Sequence, residues 1–249
     1  MTNETLLLLI GAALGGLVQG IAGFAFGMVA MSLWAWGIEP RVATIMAVFG
    51  GLFGQALSAV TVRRRAPLAI LLPFLAGGLL GVPLGLLALP LLDPVLFRFV
   101  LGAILVVFCP AMLLSDRMPK ISGGGGAADA AAGVVGGLVC AVGGVPGVAS
   151  SLWCTLRGYD KELARATIQN FNLAVLAGTF SVLLATGSVS GDMLPLFPLV
   201  ALALVVPSLI GARIYTGLSA PAFRRVVLSL LLCSGLAMLA HSAQALLGQ

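Results

Sequence analysis

Charged residues are scarce in this chain of 249 residues, since Lys, Arg, Asp and Glu together make up only 8% of it. Hydrophobic residues make up 60%, and the mean hydropathy is +1.16, which lies outside the range of soluble domains. Apolar runs near or above the roughly 20 residues that one bilayer crossing needs recur along nearly the whole chain. The composition therefore predicts an all-α polytopic membrane protein in a lipid bilayer.

Side chains for metal binding and catalysis are few as well. The chain has one histidine, His241, and four scattered cysteines without a CxxC pair. We therefore expect no metal site, no disulfide framework and no cofactor. Because no Ser/His/Asp or Cys/His group is clustered, the sequence gives no support for an enzyme.

Carboxylates are missing from the middle of the apolar runs. All eight Asp and Glu residues lie in predicted loops or near the ends of runs, whereas a cation carrier needs them at mid-membrane. The net charge of +5 comes mostly from short loops, where basic residues set topology rather than bind nucleic acid. No basic leader precedes the first apolar residues, so we expect the N-terminus to belong to the mature first segment.

Glycine is abundant and falls into two clusters, at residues 15–27 and 136–147. Gly23 and Gly144 are 121 residues apart, and the same spacing recurs between other matching positions of the two halves. Each cluster sits in an apolar run that is longer than one crossing and shorter than two. Each run is therefore either one long tilted helix or two half-helices that meet at the glycines.

This recurrence predicts two inverted repeats of four apolar segments, with the first segment of each repeat broken or re-entrant. The first membrane repeat covers residues 1–114 and the second covers residues 127–249. Between them lies a glycine-rich linker at residues 115–126, with four consecutive glycines.

The basic residues discriminate between simple crossings and re-entrant segments. Eight simple crossings would put five Lys and Arg on one side and eight on the other. If the first run of each half returns to its own side, Arg41 and Arg98 share one side and the other eleven of the 13 share the opposite side, Arg63, Arg64 and Arg65 included. Basic residues accumulate in the cytoplasm. We therefore expect hairpins, with both termini outside the cytoplasm, in the cell (inner) membrane.

The glycine clusters are candidate binding sites. A half-helix that begins in mid-membrane presents unpaired amides and a partial positive charge, which bind anions, and glycine lets a ligand approach the backbone. We predict a small-anion site between the two interruptions, made by Gln19, Gly20, Gly23, Phe24, Gly143, Gly144, Gly147, Ser150, Gln169 and Asn170.

Two observations leave open whether these residues bind a ligand or only hold helices together. The glycines also fit the small-xxx-small pattern by which membrane helices pack closely. Amides such as Gln55 can bond across helices without binding a ligand, although Asn172 makes a run of three amides with Gln169 and Asn170.

The chain resembles the TauE/SafE-type sulfite exporters, also called toluene sulfonate uptake permeases. The resemblance rests on the glycine-broken stretch 16–24 and its counterpart, on residues 164–171 (ARATIQNF) and on residues 223–228 (FRRVVL). It covers nearly the whole chain. It implies a bacterial-type plasma-membrane permease for sulfite, sulfonates, sulfoacetate or other small organic anions. One departure is apolar Val48-Phe49 where the spacing of 121 matches polar Gln169-Asn170, which predicts a lopsided site.

We therefore expect a secondary transporter of small anions such as sulfite, organosulfonates or carboxylates, which binds its substrate between the two interruptions. An anion channel and a non-transporting membrane scaffold or assembly protein are the alternatives. A homodimer is left open.

Overall fold

The computed structural model of the protein describes residues 3–61, 66–214 and 220–247, and its regular elements there are all helices. They are α1 (Asn3–Ala22), α2 (Phe26–Trp34), α3 (Pro40–Thr61), α4 (Leu68–Ala88), α5 (Pro94–Leu113), α6 (Gly125–Gly143), α7 (Gly147–Leu156), α8 (Lys161–Ala185), α9 (Leu196–Ile214) and α10 (Ala220–Leu247), with short 3-10 turns at Leu89–Leu91, Ser115–Arg117 and Gly191–Met193. In these ranges eight helices, all except α2 and α7, are long and apolar enough to cross a membrane. The predicted all-α membrane protein is confirmed.

Acidic residues at the loop ends start three of the long helices. Oδ1 of Asp93 accepts hydrogen bonds from the amides of residues 95 and 96 at 2.8 and 2.9 Å. Asp160 does the same at the start of α8, and Glu39 at the start of α3. Because these carboxylates bind the first free amides of a helix, they act as N-caps.

The first interrupted segment is an antiparallel hairpin of α1 and α2. The indole N–H of Trp34, at the end of α2, donates to the carbonyl oxygens of Leu7 and Leu8, near the start of α1, at 3.2 Å each. Phe26, at the start of α2, lies against Gly15. The chain thus enters and returns at one end. We call this unit the first hairpin, and residues 23–25 its first break.

The second interrupted segment repeats this arrangement with α6 and α7. The indole N–H of Trp153 donates to Oδ1 of Asp129 at 2.8 Å, which joins the end of α7 to the beginning of α6. Arg157 pairs with the same carboxylate oxygen at 2.9 Å. We call this unit the second hairpin, and residues 144–146 its second break. In the structure each of the two segments is broken into two helices, while the re-entrant topology stays a prediction.

Side-chain contacts identify the two ends of the helix bundle. Arg41 donates to the carbonyl oxygen of Ser188 at 2.9 Å, and the guanidinium of Arg98 lies 6.0 Å from the ring centre of Trp36. The ring of His241, late in α10, is 5.6 Å from the same indole. This end, called the Arg41 end, therefore holds the start of α1 and the last turns of α10.

The opposite end of the bundle is called the Arg157 end, and α5 and α8 run from one end to the other. Arg157 donates to the carbonyl oxygen of Gly123 at 2.9 Å, and Arg224 donates to the carbonyl oxygen of Met112 at 2.6 Å. Simple crossings would have put Arg98 and Arg224 at the same end, so the contacts agree with re-entrant hairpins. Arg63, Arg64 and Arg65 lie outside the described residues. The cytoplasmic assignment of the Arg157 end stays a prediction.

The most extensive helix pairs join the two predicted halves reciprocally. They are α4 with α6, α1 with α9, and α5 with α10, and α3 also packs on α8. Each pair has its equivalent among the others when the halves are exchanged. This reciprocity supports the inverted repeat, which stays a prediction together with its boundaries. α6 already begins at Gly125, inside the predicted linker 115–126.

Glycine makes two of these helix pairs close. A Cβ on Gly137 of α6 would strike the carbonyl oxygen of Gly78 in α4. A Cβ on Gly16 of α1 would lie 2.6 Å from the carbonyl oxygen of Leu204 in α9. Backbones that approach this closely gain dispersion contacts in lipid, where no hydrophobic force drives association.

Candidate functional site

Each long arm of a hairpin ends in a glycine with left-handed backbone. Gly23 has φ of 85° and Gly144 has φ of 65°. The amide of Gly23 donates to the carbonyl oxygen of Gln19, and that of Gly144 to the carbonyl oxygen of Cys140, both at 2.7 Å. Side-chain-bearing residues avoid this conformation. The two predicted interruptions therefore have one geometry, 121 residues apart.

The two breaks touch each other in the interior. A Cβ on Gly27 would strike the carbonyl oxygen of Gly144, and a Cβ on Gly147 would lie 2.8 Å from the ring of Phe24. The first turns of α2 and α7 therefore lie side by side. Each helix N-terminus carries about half a positive charge, so the electrostatics of this contact region would favour an anion over a cation.

The side chain of Gln19 caps α2 at the first break. Its Oε1 accepts a hydrogen bond from the amide of Phe26 at 3.0 Å, and the residue is 1% exposed. Its Nε2 is buried and has no hydrogen-bond partner in the described part of the chain. The amides of Gly27 and Met28 donate to no group within the described residues. Among the described residues, the first break thus presents several N–H donors that have no hydrogen-bond acceptor.

Gln55 of α3 holds the other side of the first break. Its Nε2 donates to the carbonyl oxygen of Gly23 at 3.0 Å, while its Oε1 is buried without a hydrogen-bond partner. The sequence-based interpretation of an amide that bonds across helices is correct. The partner, however, is the break itself. Spacing gave no signal for this contact, because the matching position of the second half holds apolar Leu176.

The second break has a different polar lining. Oγ of Ser150, on α7, donates to Oδ1 of Asn172, on α8, at 2.9 Å, and both residues are buried. Nδ2 of Asn172 lies 3.4 Å from the position of a Cβ on Gly147. Of the three predicted amides on α8, Asn172 is therefore the one that these contacts place at the break.

Gln169 and Asn170 precede Asn172 on α8. Gln169 is buried at 6% exposure. The Nδ2 of half-buried Asn170 donates to the carbonyl oxygen of Ala166 in its own helix, at 2.7 Å. Their part in a binding site stays a prediction.

The predicted glycines divide into two groups. Gly20 packs against the backbone of α9 at Ser208, and a Cβ on Gly143 would lie 2.8 Å from Leu101 of α5. For these two the close-packing interpretation has direct support. Gly144 and Gly147 lie where the breaks meet, and Gly23 has no atom within 4 Å of its missing Cβ.

The two breaks differ in exposure. All residues from 141 to 150 are buried, whereas Ala22 is exposed and Gly23 and Phe24 are half-buried. The first break is therefore partly accessible at the surface of the structure, and the second is enclosed by protein. A separate cleft of about 640 Å³ opens at the Arg41 end, lined by the start of α3 and the ends of α4 and α8.

Among the described residues, no group of three or more His, Cys, Asp or Glu is placed to hold a metal ion. The buried carboxylate of Asp129 is taken up by Arg157 and Trp153 at the base of the second hairpin. What the site offers is therefore neutral: amide N–H groups, two glutamines, an asparagine and a serine. Such groups bind an anion without neutralising it with a cationic side chain.

A family model described as sulfite exporter TauE/SafE matches residues 7–238 of the chain. The match begins in the first turns of α1 and ends late in α10, so it spans both hairpins. No significant match was found among curated proteins or among solved structures.

Proposed function

Because the chain belongs to the TauE/SafE sulfite exporter family, we propose that it is a secondary transporter of small anions in the plasma membrane. The substrates are sulfite, organosulfonates or small carboxylates. The substrate binds between the two breaks, and the Arg157 end faces the cytoplasm. The family is one of anion transporters in membranes; the substrate, the site and the orientation are the proposed part.

The observation that carries this proposal is the contact of each half-helix with the opposite break: Gly27 of α2 lies against Gly144, and Gly147 of α7 lies against Phe24. Two half-helix N-termini that meet inside a bundle of membrane-length helices form an anion site from backbone alone. Irregular backbone at membrane depth is tolerated where protein encloses it or where it lines a cavity. A site for a translocated ion meets that condition.

The unequal exposure of the breaks supports alternating access. The first break is partly exposed at Gly23, while residues 141–150 are buried. The pairs α1–α9 and α4–α6 correspond to each other when the predicted halves are exchanged, which supports an exchange of these roles. Exchange would enclose the first break and open the second.

The test is transport by the purified protein in proteoliposomes. We expect saturable uptake of radiolabelled sulfite, 2-hydroxyethanesulfonate or a small carboxylate, and acceleration of uptake by unlabelled anion inside the vesicles. Conductance that does not saturate would establish a channel instead. Uptake of sodium or potassium without any anion movement would refute the proposal, as would the absence of all anion flux from folded protein.

A further inference from the structure

Two buried amides at the first break each leave one atom without a partner among the residues that the structure describes. Gln19 and Gln55 are both 1% exposed. The unbonded atoms are Nε2 of Gln19 and Oε1 of Gln55. Leaving a buried polar atom unsatisfied costs free energy, because the atom has given up its hydrogen bonds to water. A group that binds at the break is therefore expected to satisfy them.

The orientation of both amides follows from their other bonds. Oε1 of Gln19 accepts from the amide of Phe26, and Nε2 of Gln55 donates to the carbonyl oxygen of Gly23. Rotating either amide by 180° would break its bond to the backbone. The free atom of Gln19 is thus a donor, and the free atom of Gln55 is an acceptor.

These two atoms belong to one place in the fold. The amide nitrogen of Gln19 lies 2.5 Å from the position of a Cβ on Gly54, the residue that precedes Gln55. Both side chains bond residues of one short stretch, Gly23 and Phe26. A small ligand beside the first turn of α2 could therefore accept a hydrogen bond from Nε2 of Gln19 and donate one to Oε1 of Gln55.

The matching positions of the second half hold no such pair. Cys140 stands 121 residues after Gln19, and Leu176 stands 121 residues after Gln55. Cys140 contacts Thr179 at 3.4 Å. The pair of amides is thus a feature that the first half does not share with the matching positions of the second.

We propose that Gln19 and Gln55 select an oxyanion that also carries a hydrogen-bond donor. An anion oxygen accepts from Nε2 of Gln19 and from the amides of Gly27 and Met28, while a hydroxyl, ammonium or acid O–H of the same ion donates to Oε1 of Gln55. Hydrogensulfite and hydroxylated or amino-bearing sulfonates and carboxylates fit this description. This specificity rests on the proposed transport function.

The test compares anions of equal charge and nearly equal shape. Uptake of radiolabelled 2-hydroxyethanesulfonate and propane-1-sulfonate is measured in proteoliposomes of the full chain, with 3-hydroxypropanoate and butanoate as the carboxylate pair and sulfite as reference. We expect the hydroxylated member to have a half-saturating concentration about tenfold or more lower, because its analogue leaves Oε1 of Gln55 unsatisfied. In Gln55→Met the half-saturating concentrations of the two members should agree within about twofold.

Gln244→Met is the matched control, since Gln244 is exposed on α10, and it keeps the wild-type ratio. If Gln55→Met does not reconstitute, Gln55→Leu replaces it, which copies the residue at the matching position of the second half. Equal affinities for both members in wild type overturn the specificity and leave water as the partner of these atoms. A preference for the hydroxylated anion that persists in Gln55→Met also overturns the proposed specificity. In both cases sulfite flux continues, whereas loss of all anion flux refutes the proposed function itself.

Discussion

The ring of Phe26 in α2 fills the space into which a side chain on Gly50 of α3 would project. At the positions 121 residues later the two residue types are exchanged, with Gly147 on α7 and Phe171 on α8. Gly15 contacts the first ring, and its counterpart Gly136 contacts the second. Both halves therefore place a phenyl ring against the long arm of the hairpin, but from different helices.

This exchange predicts compensation between Phe26 and Gly50. Gly50→Phe alone overpacks a buried site, and we expect a loss of about 1–3 kcal/mol of stability. Phe26→Gly alone leaves a cavity and costs at least about 3–5 kcal/mol. The double variant recreates the arrangement of the second half. Its loss of stability should therefore be smaller than the sum of the two single losses by about 0.5–3 kcal/mol. Thermal unfolding in detergent measures this coupling. Strict additivity of the two losses would contradict the equivalence of the sites.

The two left-handed glycines should respond differently to alanine. Both Gly23→Ala and Gly144→Ala incur backbone strain of about 1–2 kcal/mol. At Gly144 the new methyl also lies 2.7 Å from Cβ of Ala47, whereas nothing lies within 4 Å at Gly23.

We therefore expect Gly144→Ala to unfold at a lower temperature than Gly23→Ala. We also expect Gly23→Leu to give folded protein with strongly reduced flux, because its side chain enters the open space beside Gly23. Gly191→Ala, in an exposed turn without neighbours, is the control. Normal flux from folded Gly23→Leu would remove the first break from the transport path.

The base of the second hairpin depends on a buried ion pair. Oδ1 of Asp129 accepts hydrogen bonds from Arg157 and Trp153, and the side chains of the ion pair are 9% exposed. Asp129→Leu copies the residue at the matching position, Leu8, but leaves the guanidinium without its carboxylate. We expect a loss of about 3–5 kcal/mol. Glu162→Gln, at an exposed site, should change the unfolding temperature little. Equal stability of both variants would show that the ion pair does not hold the hairpin.

The first residue of α8 and a residue beyond its end should be accessible from opposite sides of the membrane. Lys161 and Asp192 are both exposed in the structure. In a cysteine-free background, Asp192→Cys should react with a membrane-impermeant maleimide added to intact cells, and Lys161→Cys only after lysis. This outcome places the Arg157 end in the cytoplasm, as the distribution of basic residues predicts. The reverse labelling would invert the assigned orientation, and labelling of both from outside would exclude a crossing by α8.

Much of the architecture follows from the sequence because repetition and charge are long-range signals. The spacing between Gly23 and Gly144 locates both breaks, and the placement of Arg41 and Arg98 distinguishes hairpins from crossings. The helices that pack against α1 and α6 could not be predicted in this way. That Gly20 packs on α9 depends on how the two halves interlock, which no local pattern encodes.

The polar lining was only partly predictable for a related reason. Gln169 and Asn172 are three residues apart and share a face of α8, whereas Asn170 is turned by about 100° from Gln169. The adjacency of the three amides in sequence did not separate them. Gln55 has no neighbouring amide in the sequence, and a lone amide is expected only to bond across helices.

Counterflow in proteoliposomes tests most directly whether the two breaks carry an anion. Vesicles that hold the wild-type protein and unlabelled sulfite should accumulate labelled sulfite transiently, and Gly27→Leu, which forces the breaks apart at Gly144, should abolish accumulation while the protein remains monodisperse. Accumulation by folded Gly27→Leu at the wild-type rate would contradict passage between the breaks.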